Sequence, residues 1–253
     1  MPWTLPDDDR ELLRLAKSYP FDAPEASYLF RGGKAAPLPA GPAAADPFAG
    51  RTPVIAHGSN RAPAQLRRKF GTSAEIPVSR AWLGDYDVVY SAHLTRYGSV
   101  AANLHHSPGV RVEVFVTWLT EAQLDRMHET ELGSEIYAYG ILERIDLRLE
   151  AGPAARIGEA HAYISTRGCL PVDGAPLGLA AVAAEGRPHG ALDQDQALAL
   201  VRDRHRPDHA MDDFILAVIR DHDHRRTLIA EMGAAAVPTA VPHFRVLRGP
   251  GES

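Results

Sequence analysis

The chain has a single cysteine, Cys169, so it can build neither an internal disulfide framework nor a cysteine-rich zinc site. It has no apolar run of membrane-spanning length. The longest uncharged apolar stretch, 175–184, is about half of a span. It also lacks an excess of positive charge. Its 27 Lys and Arg residues are outnumbered by 32 Asp and Glu, for a net charge of −5, and they are spread along the sequence. That argues against a nucleic-acid footprint, which needs a clustered basic face. Residues 1–10 carry Asp7, Asp8 and Asp9 rather than the basic-then-apolar pattern of a signal peptide. Together these absences set the expectation of a cytoplasmic protein with no membrane and no nucleic-acid partner.

What is present suits an ordinary globular protein: 253 residues, 45% apolar and 23% charged, enough to bury a real core. Residues 1–52 read as an N-terminal arm and linker rather than core. Asp7 to Asp9 can cap a short helix through Leu12, Leu13 and Ala16, and 32–50 is rich in Ala, Pro and Gly, as an extended linker would be. Ordered structure is expected from 53 to 170. Val54-Ile55-Ala56 reads as a strand, followed by a glycine-bearing loop and a helix over 64–70, with Asn60 as a candidate cap and Pro63 in the first turn. Candidate antiparallel strands follow at 78–83, 86–93, 99–104 and 110–118, with turns at 84–85, 96–98 and 107–109. A meander of this kind curls into a barrel or a strongly twisted sheet. Further strands are expected at 136–149 and 157–165, and a mainly helical extension over 171–253, with helices near 194–204 and 212–232.

The segment 119–131, Leu-Thr-Glu-Ala-Gln-Leu-Asp-Arg-Met-His-Glu-Thr-Glu, is the most informative. Thr120 and Gln123 have the spacing of a capping box, so a helix should start at Glu121. Leu124 and Met127 define its buried stripe. Glu131 falls four residues after Met127 and seven after Leu124, on that same inward face, whereas Glu129 lies well round the helix. A carboxylate held among apolar groups is expected to have a raised pKa, which suits a residue that takes a proton and later returns it.

These pieces come in a telling order. A strand ends in Val-Ile-Ala-His-Gly-Ser-Asn (54–60), and a helix carries Pro-Ala-Gln-Leu-Arg-Arg-Lys-Phe (63–70). A strand pair runs through Ser-Ala-His-Leu-Thr-Arg-Tyr-Gly-Ser-Val-Ala-Ala-Asn-Leu (91–104), and the Glu131 helix follows. From about 53 to 165 this order resembles the γ-glutamylcyclotransferase-like family. The resemblance implies an α+β fold: a mixed β-barrel with flanking helices, here with an extended N-terminal arm and a C-terminal helical appendage. It implies that His57, Gly58, Ser59 and Asn60 form the substrate-binding loop, that Glu131 is the acid/base, and that Tyr163 on a late strand closes the pocket. The implied reaction releases 5-oxoproline from a small γ-glutamyl compound as the substrate's own α-amine attacks its γ-carbonyl, with no metal or organic cofactor. Two positions depart from the family pattern. His57 stands where tyrosine is usual and bears on substrate choice; Leu132 stands where glycine is usual and bears on the helix end.

Other readings of the same residues are a serine hydrolase built on Ser59, whose Gly-x-Ser-x-Gly pattern is broken by Arg61, and a non-catalytic barrel that binds an amino-acid-like ligand or a protein partner. His205 and His209 are separated by Pro207, which spoils a helical metal pair. His222 and His224 are read as lying on a solvated face. Arg96 and Tyr97, at a hairpin turn, either edge the pocket or cap the sheet, and the structural role is the favoured one. Tyr137 and Tyr139 alternate along one strand and so point the same way. The arm and the C-terminal helices, outside the resemblance, are free to narrow the pocket or to form a homodimer contact.

Overall fold

The computed structural model describes residues 4–39, 46–134 and 136–252; the part of the expected linker at 40–45 lies outside them. In chain order the elements are α1 (Asp9–Lys17), β1 (Tyr28–Arg31), β2 (Lys34–Ala36), β3 (Thr52–Ala56), α2 (Pro63–Phe70), β4 (Ile76–Leu94), β5 (Val100–Leu119), α3 (Glu121–Glu131), β6 (Tyr137–Leu149) and β7 (Arg156–Ser165). Five two-residue strands follow, β8 (Pro171–Val172), β9 (Ala175–Pro176), β10 (Gly178–Leu179), β11 (Ala184–Glu185) and β12 (Ala191–Leu192). The chain then runs through α4 (Gln194–His205), α5 (Met211–Arg220), α6 (His222–Ala234) and β13 (Phe244–Arg248).

Five strands close on themselves. β3 pairs antiparallel with β5, β5 with β4, β4 with β6 and β6 with β7, and a parallel pairing of β7 with β3 (Val54 opposite His161) completes the ring. This is a mixed α+β barrel with flanking helices, the architecture the sequence resemblance implies. Alternation along the strands sorts side chains to two faces. Ile55, Val112, Val114, Val116, Ala162 and Ile164 belong to the larger apolar cluster. Val54, Ala56, Phe115, Leu119, Tyr139 and Tyr163 face a second, packed under α2 and α3 by Leu66, Met127 and Leu132. The candidate site lies at this second cluster. Among the described residues no helix is long and apolar enough to cross a membrane.

The structure corrects the sequence reading in three places. The expected four-strand meander is one long hairpin, β4 with β5. The residues taken as turns at 84–85 and 107–109 face each other across it: pairing jumps from Gly84–Arg111 to Tyr86–His106, and Asp85, itself in a left-handed conformation, accepts a hydrogen bond from the Gly109 amide at 2.8 Å. Opposed irregularities bend a ladder without reversing it. The single reversal is at 95–99, where Thr95 and Ser99 exchange hydrogen bonds and Gly98, at φ 86°, leaves room for Ile219.

Second, the N-terminal stretch is core. Leu12, Leu15, Tyr19, Phe21 and Phe30 are buried, and β1 adds to the sheet beside β4. Strands of three and four residues leave too short a pattern to read. Third, the expected helix at 212–232 is two helices, broken at Asp221, whose carboxylate caps α6 by accepting from the His224 amide at 2.9 Å. The C-terminal region also returns to the barrel, where β13 pairs with β6.

Candidate active site

α3 sets the first part of the site. Its capping box forms, with Thr120 accepting from the Gln123 amide at 3.3 Å and Gln123 accepting from the Thr120 amide at 3.1 Å. That start fixes the helical phase. Glu129 points outward and pairs with Arg126, while the Glu131 side chain is 14% exposed. Beyond it, Leu132 keeps right-handed helical angles and is fully buried, leading into a tight turn through Ser134. No glycine conformation is needed at 132, so the departure from the family pattern becomes an apolar anchor for the end of α3.

The loop after β3 supplies the second part. Gly58 to Arg61 form one tight turn, and the amides of Arg61 and Ala62 return to the carbonyls of Gly58 and Ser59 at 3.3 and 3.0 Å. α2 is then capped by Ala62 rather than by Asn60. The Asn60 side chain is freed from capping and reaches across to Glu131, its Nδ2 donating to Oε1 at 2.7 Å. Its own Oδ1 is buried with no hydrogen-bond partner. Among the described residues no backbone carbonyl accepts from the amides of Gly58, Ser59 or Asn60.

A third participant comes from α2. The ammonium of Lys69 forms an ion pair with Glu131 Oε1, with its side chain 9% exposed, and also lies 3.4 Å from Met127 Sδ. This reverses the expected pKa direction. Burial pushes the Glu131 carboxyl up, but the Lys69 charge, the hydrogen bonds from Lys69 and Asn60 and the field of His57 outweigh it, and the pKa is held below the usual carboxylate value.

The other expected residues have partners of their own, and His57 and Tyr163 also feel the Glu131 charge. The His57 ring is buried and its pKa is pushed down to about 4 by that burial, against the raising influence of Glu131, so it is neutral at pH 7; its Nδ1 has no hydrogen-bond partner. Ser59 hydrogen-bonds the phenol of Tyr97, whose pKa burial pushes up to about 12. Tyr97 therefore belongs to the site rather than to a mere sheet cap, and a phenol in place of a base gives Ser59 no activating partner. The Tyr163 hydroxyl lies 2.8 Å from His128 Nδ1. Burial and then the nearby Glu131 charge raise its pKa, and both influences act likewise on Tyr137. Tyr139 packs edge-on against His128 and stacks on His161.

Two of these participants, Lys69 and Tyr19, are not among the site residues expected from sequence, and Tyr97 is favoured there as a sheet cap. Lys69 carries a faint signal, three residues after buried Leu66 and four after buried Gln65, at the inward edge of α2. Tyr97 was placed at the turn without its partner. Tyr19 carries no local signal: it arrives from the N-terminal region, accepts a hydrogen bond from the Ala102 amide at 2.8 Å, and its hydroxyl sits 2.5 Å from where a Cβ on Gly58 would be. Glycine at 58 is thus required by close approach. Of the histidines, His205 approaches Glu231 at 3.2 Å and His209 stacks on His224. Among the described residues no group of three or more potential ligands is arranged to hold a metal ion.

No family model matches the chain, and no curated protein matches it. Solved structures similar over 46% of the chain include the following three. A γ-glutamyl cyclotransferase is 20% identical with a TM-score of 0.37 over 67% of its own length. A protein of Arabidopsis thaliana solved in solution is 18% identical, with a TM-score of 0.34 over 69%. An uncharacterized Homo sapiens protein, refined as an ensemble, is 19% identical, with a TM-score of 0.35 over 68%.

Proposed function

We propose that the chain is a γ-glutamylcyclotransferase-like enzyme that releases 5-oxoproline from a small γ-glutamyl amine or γ-glutamyl amino acid. The observation that carries the reading is a buried carboxylate, Glu131, in direct hydrogen-bond contact with the 57–60 loop and matched by one ammonium group. In the proposed reaction Glu131 removes a proton from the substrate's α-ammonium, and the freed amine attacks the γ-carbonyl carbon. The new C–N bond closes a five-membered lactam. The bond to the leaving amine then breaks as Glu131 returns the proton to it, and the ring nitrogen gives up its second proton through the same carboxylate, so that the amine departs as its ammonium and the lactam is neutral. Because the nucleophile is part of the substrate, the protein's tasks are to hold the folded conformer and to stabilise charge. Amides at Gly58, Ser59 and Asn60 suit the developing oxyanion, and His57 and Tyr163 shape the surroundings of the carboxylate.

Lys69 fits this scheme as a resting counter-ion. Exchange of its ammonium for that of the substrate keeps the buried site neutral. Once the substrate's ammonium has given up its proton, only the Asn60 hydrogen bond and the field of His57 still hold the Glu131 pKa down, and burial, the largest influence on it, favours the protonated acid that the leaving group needs.

The same ion pair supports a second reading, a barrel that binds an amino-acid-like ligand without turnover, because a carboxylate held below its usual pKa is a weak base. Incubation with a panel of γ-glutamyl amino acids, γ-glutamyl amines and glutathione, read as 5-oxoproline by mass spectrometry, separates the two. The enzyme reading expects product from at least one compound and none from a folded Glu131→Gln variant. Saturable binding with no product from any compound favours the second reading, and product at the wild-type rate from Glu131→Gln removes the acid/base role.

A further inference from the structure

The chain is acidic overall, yet five basic residues line one cleft. A cleft of about 1220 Å³ opens between β2, α2 and α3, and its lining includes Lys34, Arg67, Arg68, Lys69 and Arg126 but no acidic side chain. Three of these cations end α2, where positive charge complements the helix dipole. That accounts for their type at that position. It does not account for Lys34 arriving from β2 and Arg126 from α3 on the opposite walls.

Of the five, Lys69 is paired with Glu131 and Arg126 with Glu129, while Glu75, next to the lining residue Ala74, is engaged by Arg31. Among the described residues, Lys34 and Arg67 have no carboxylate partner. Arg67 is nevertheless positioned. The β1–β2 turn lies on its stem, and at Gly33, buried and at φ 76°, an added Cβ would come within 3.3 Å of Arg67 Cδ and 3.0 Å of Thr72 Cγ2. Arg126 is fixed by donating from Nε to the Lys69 carbonyl at 3.0 Å, which ties α3 to the end of α2. A concave wall of like charges raises the local concentration of a counter-charged ligand, and guanidinium forks match the oxygens of phosphates and carboxylates.

We propose that this cleft binds a small molecule bearing a multiply charged oxyanion, phosphate or clustered carboxylates, with Arg67 and Lys34 as its principal contacts and Lys69 shared between it and Glu131. The claim stands apart from turnover: it is read by binding alone and survives a failure to detect 5-oxoproline.

The test is isothermal titration calorimetry of the full chain at low ionic strength with two probes, inorganic pyrophosphate and citrate; the preferred probe distinguishes a phosphate site from a carboxylate one. Saturable binding of at least one is expected. It should weaken about tenfold in Arg67→Ala, which corresponds to about 1.4 kcal/mol, and vanish in Arg67→Glu combined with Lys34→Glu. Arg148→Ala, an exposed cation paired with Asp146 away from the cleft, should leave it unchanged. Both cleft positions are exposed, and circular dichroism checks that each variant is folded. The proposal is overturned if neither probe binds, if the double charge reversal binds as the wild type does, or if a single-stranded oligonucleotide binds with affinity that grows with length while both small anions fail.

Discussion

Replacing Lys69 by methionine removes the cation from a pair whose side chains are 9% and 14% exposed, while keeping an unbranched stem beside Met127. Stripping one partner from a buried ion pair costs about 3–5 kcal/mol, because the remaining charge is left uncompensated. Asn60 still donates to Glu131 in the variant, and a hydrogen bond to a charged group is worth about 1.5–3 kcal/mol. The loss at pH 8 should therefore sit at or just below the bottom of the first range, at about 2–3 kcal/mol. The pH dependence follows from the signs. In the wild type the Glu131 pKa lies below its ordinary 4.5, so its contribution is present above 4.5 and is lost as pH falls through the folded value. In the variant, burial, the largest influence on this carboxyl, is no longer opposed by Lys69, and the folded pKa should rise above 4.5. Its penalty then grows as pH rises from there. The deficit should be widest at pH 8 and shrink toward pH 5, and adding Glu131→Gln should recover most of it, since the two sites are coupled. Urea unfolding followed by circular dichroism at both pH values measures this. A variant within about 0.5 kcal/mol of wild type at pH 8, or a deficit equal at pH 8 and pH 5, would refute the electrostatic account of the site.

Two further outcomes are expected from the loop that faces this pair. In Gly58→Ala the added methyl group would meet the Tyr19 hydroxyl at 2.5 Å; displacing that hydroxyl orphans the buried Ala102 amide, and thermal unfolding should report a loss of about 1–3 kcal/mol, with an unchanged midpoint disproving the contact. His57 has a folded pKa of about 4 against 6.5 for the free side chain, so the unfolded chain takes up its proton first and stability falls as pH drops from 6.5 toward 4. A His57→Gln variant should flatten that slope by up to one proton, about 1.4 kcal/mol per pH unit, and an unaltered slope between pH 6.5 and pH 4 would show that residue 57 does not titrate as described.

Much of the barrel was legible because alternation is a local property: 110–118 and 157–165 sit inside β5 and β7. The inward turn of Glu131 was legible for the same reason, since the capping box sets the phase of a helix only eleven residues long. What the sequence hid was everything decided by distant partners. The pKa direction at Glu131 depends on Lys69, 62 residues away, and the need for glycine at 58 depends on Tyr19, whose hydroxyl is fixed by a residue 83 positions later in the chain. Asn60 looked like a cap because it precedes a helix, yet Pro63 at the first position of α2 needs no donor satisfied, and the asparagine amide was left to bridge α3 instead. The basic cleft was missed likewise: Arg67, Arg68 and Lys69 are adjacent in sequence, but Lys34 and Arg126 join them only through folding.

The Thr95–Ser99 reversal carries a burden out of proportion to its five residues. β4 and β5 run for 19 and 20 residues on either side of it, and their mutual alignment is dictated from that tip. Inserting one residue there would trade inner for outer side chains along the near half of the hairpin, and Gly98 would no longer seat Ile219 of α5. Length variation among descendants of this sequence should therefore spare the tip and collect instead at the 151–155 connection, where a change of length stays confined to a solvent-facing edge.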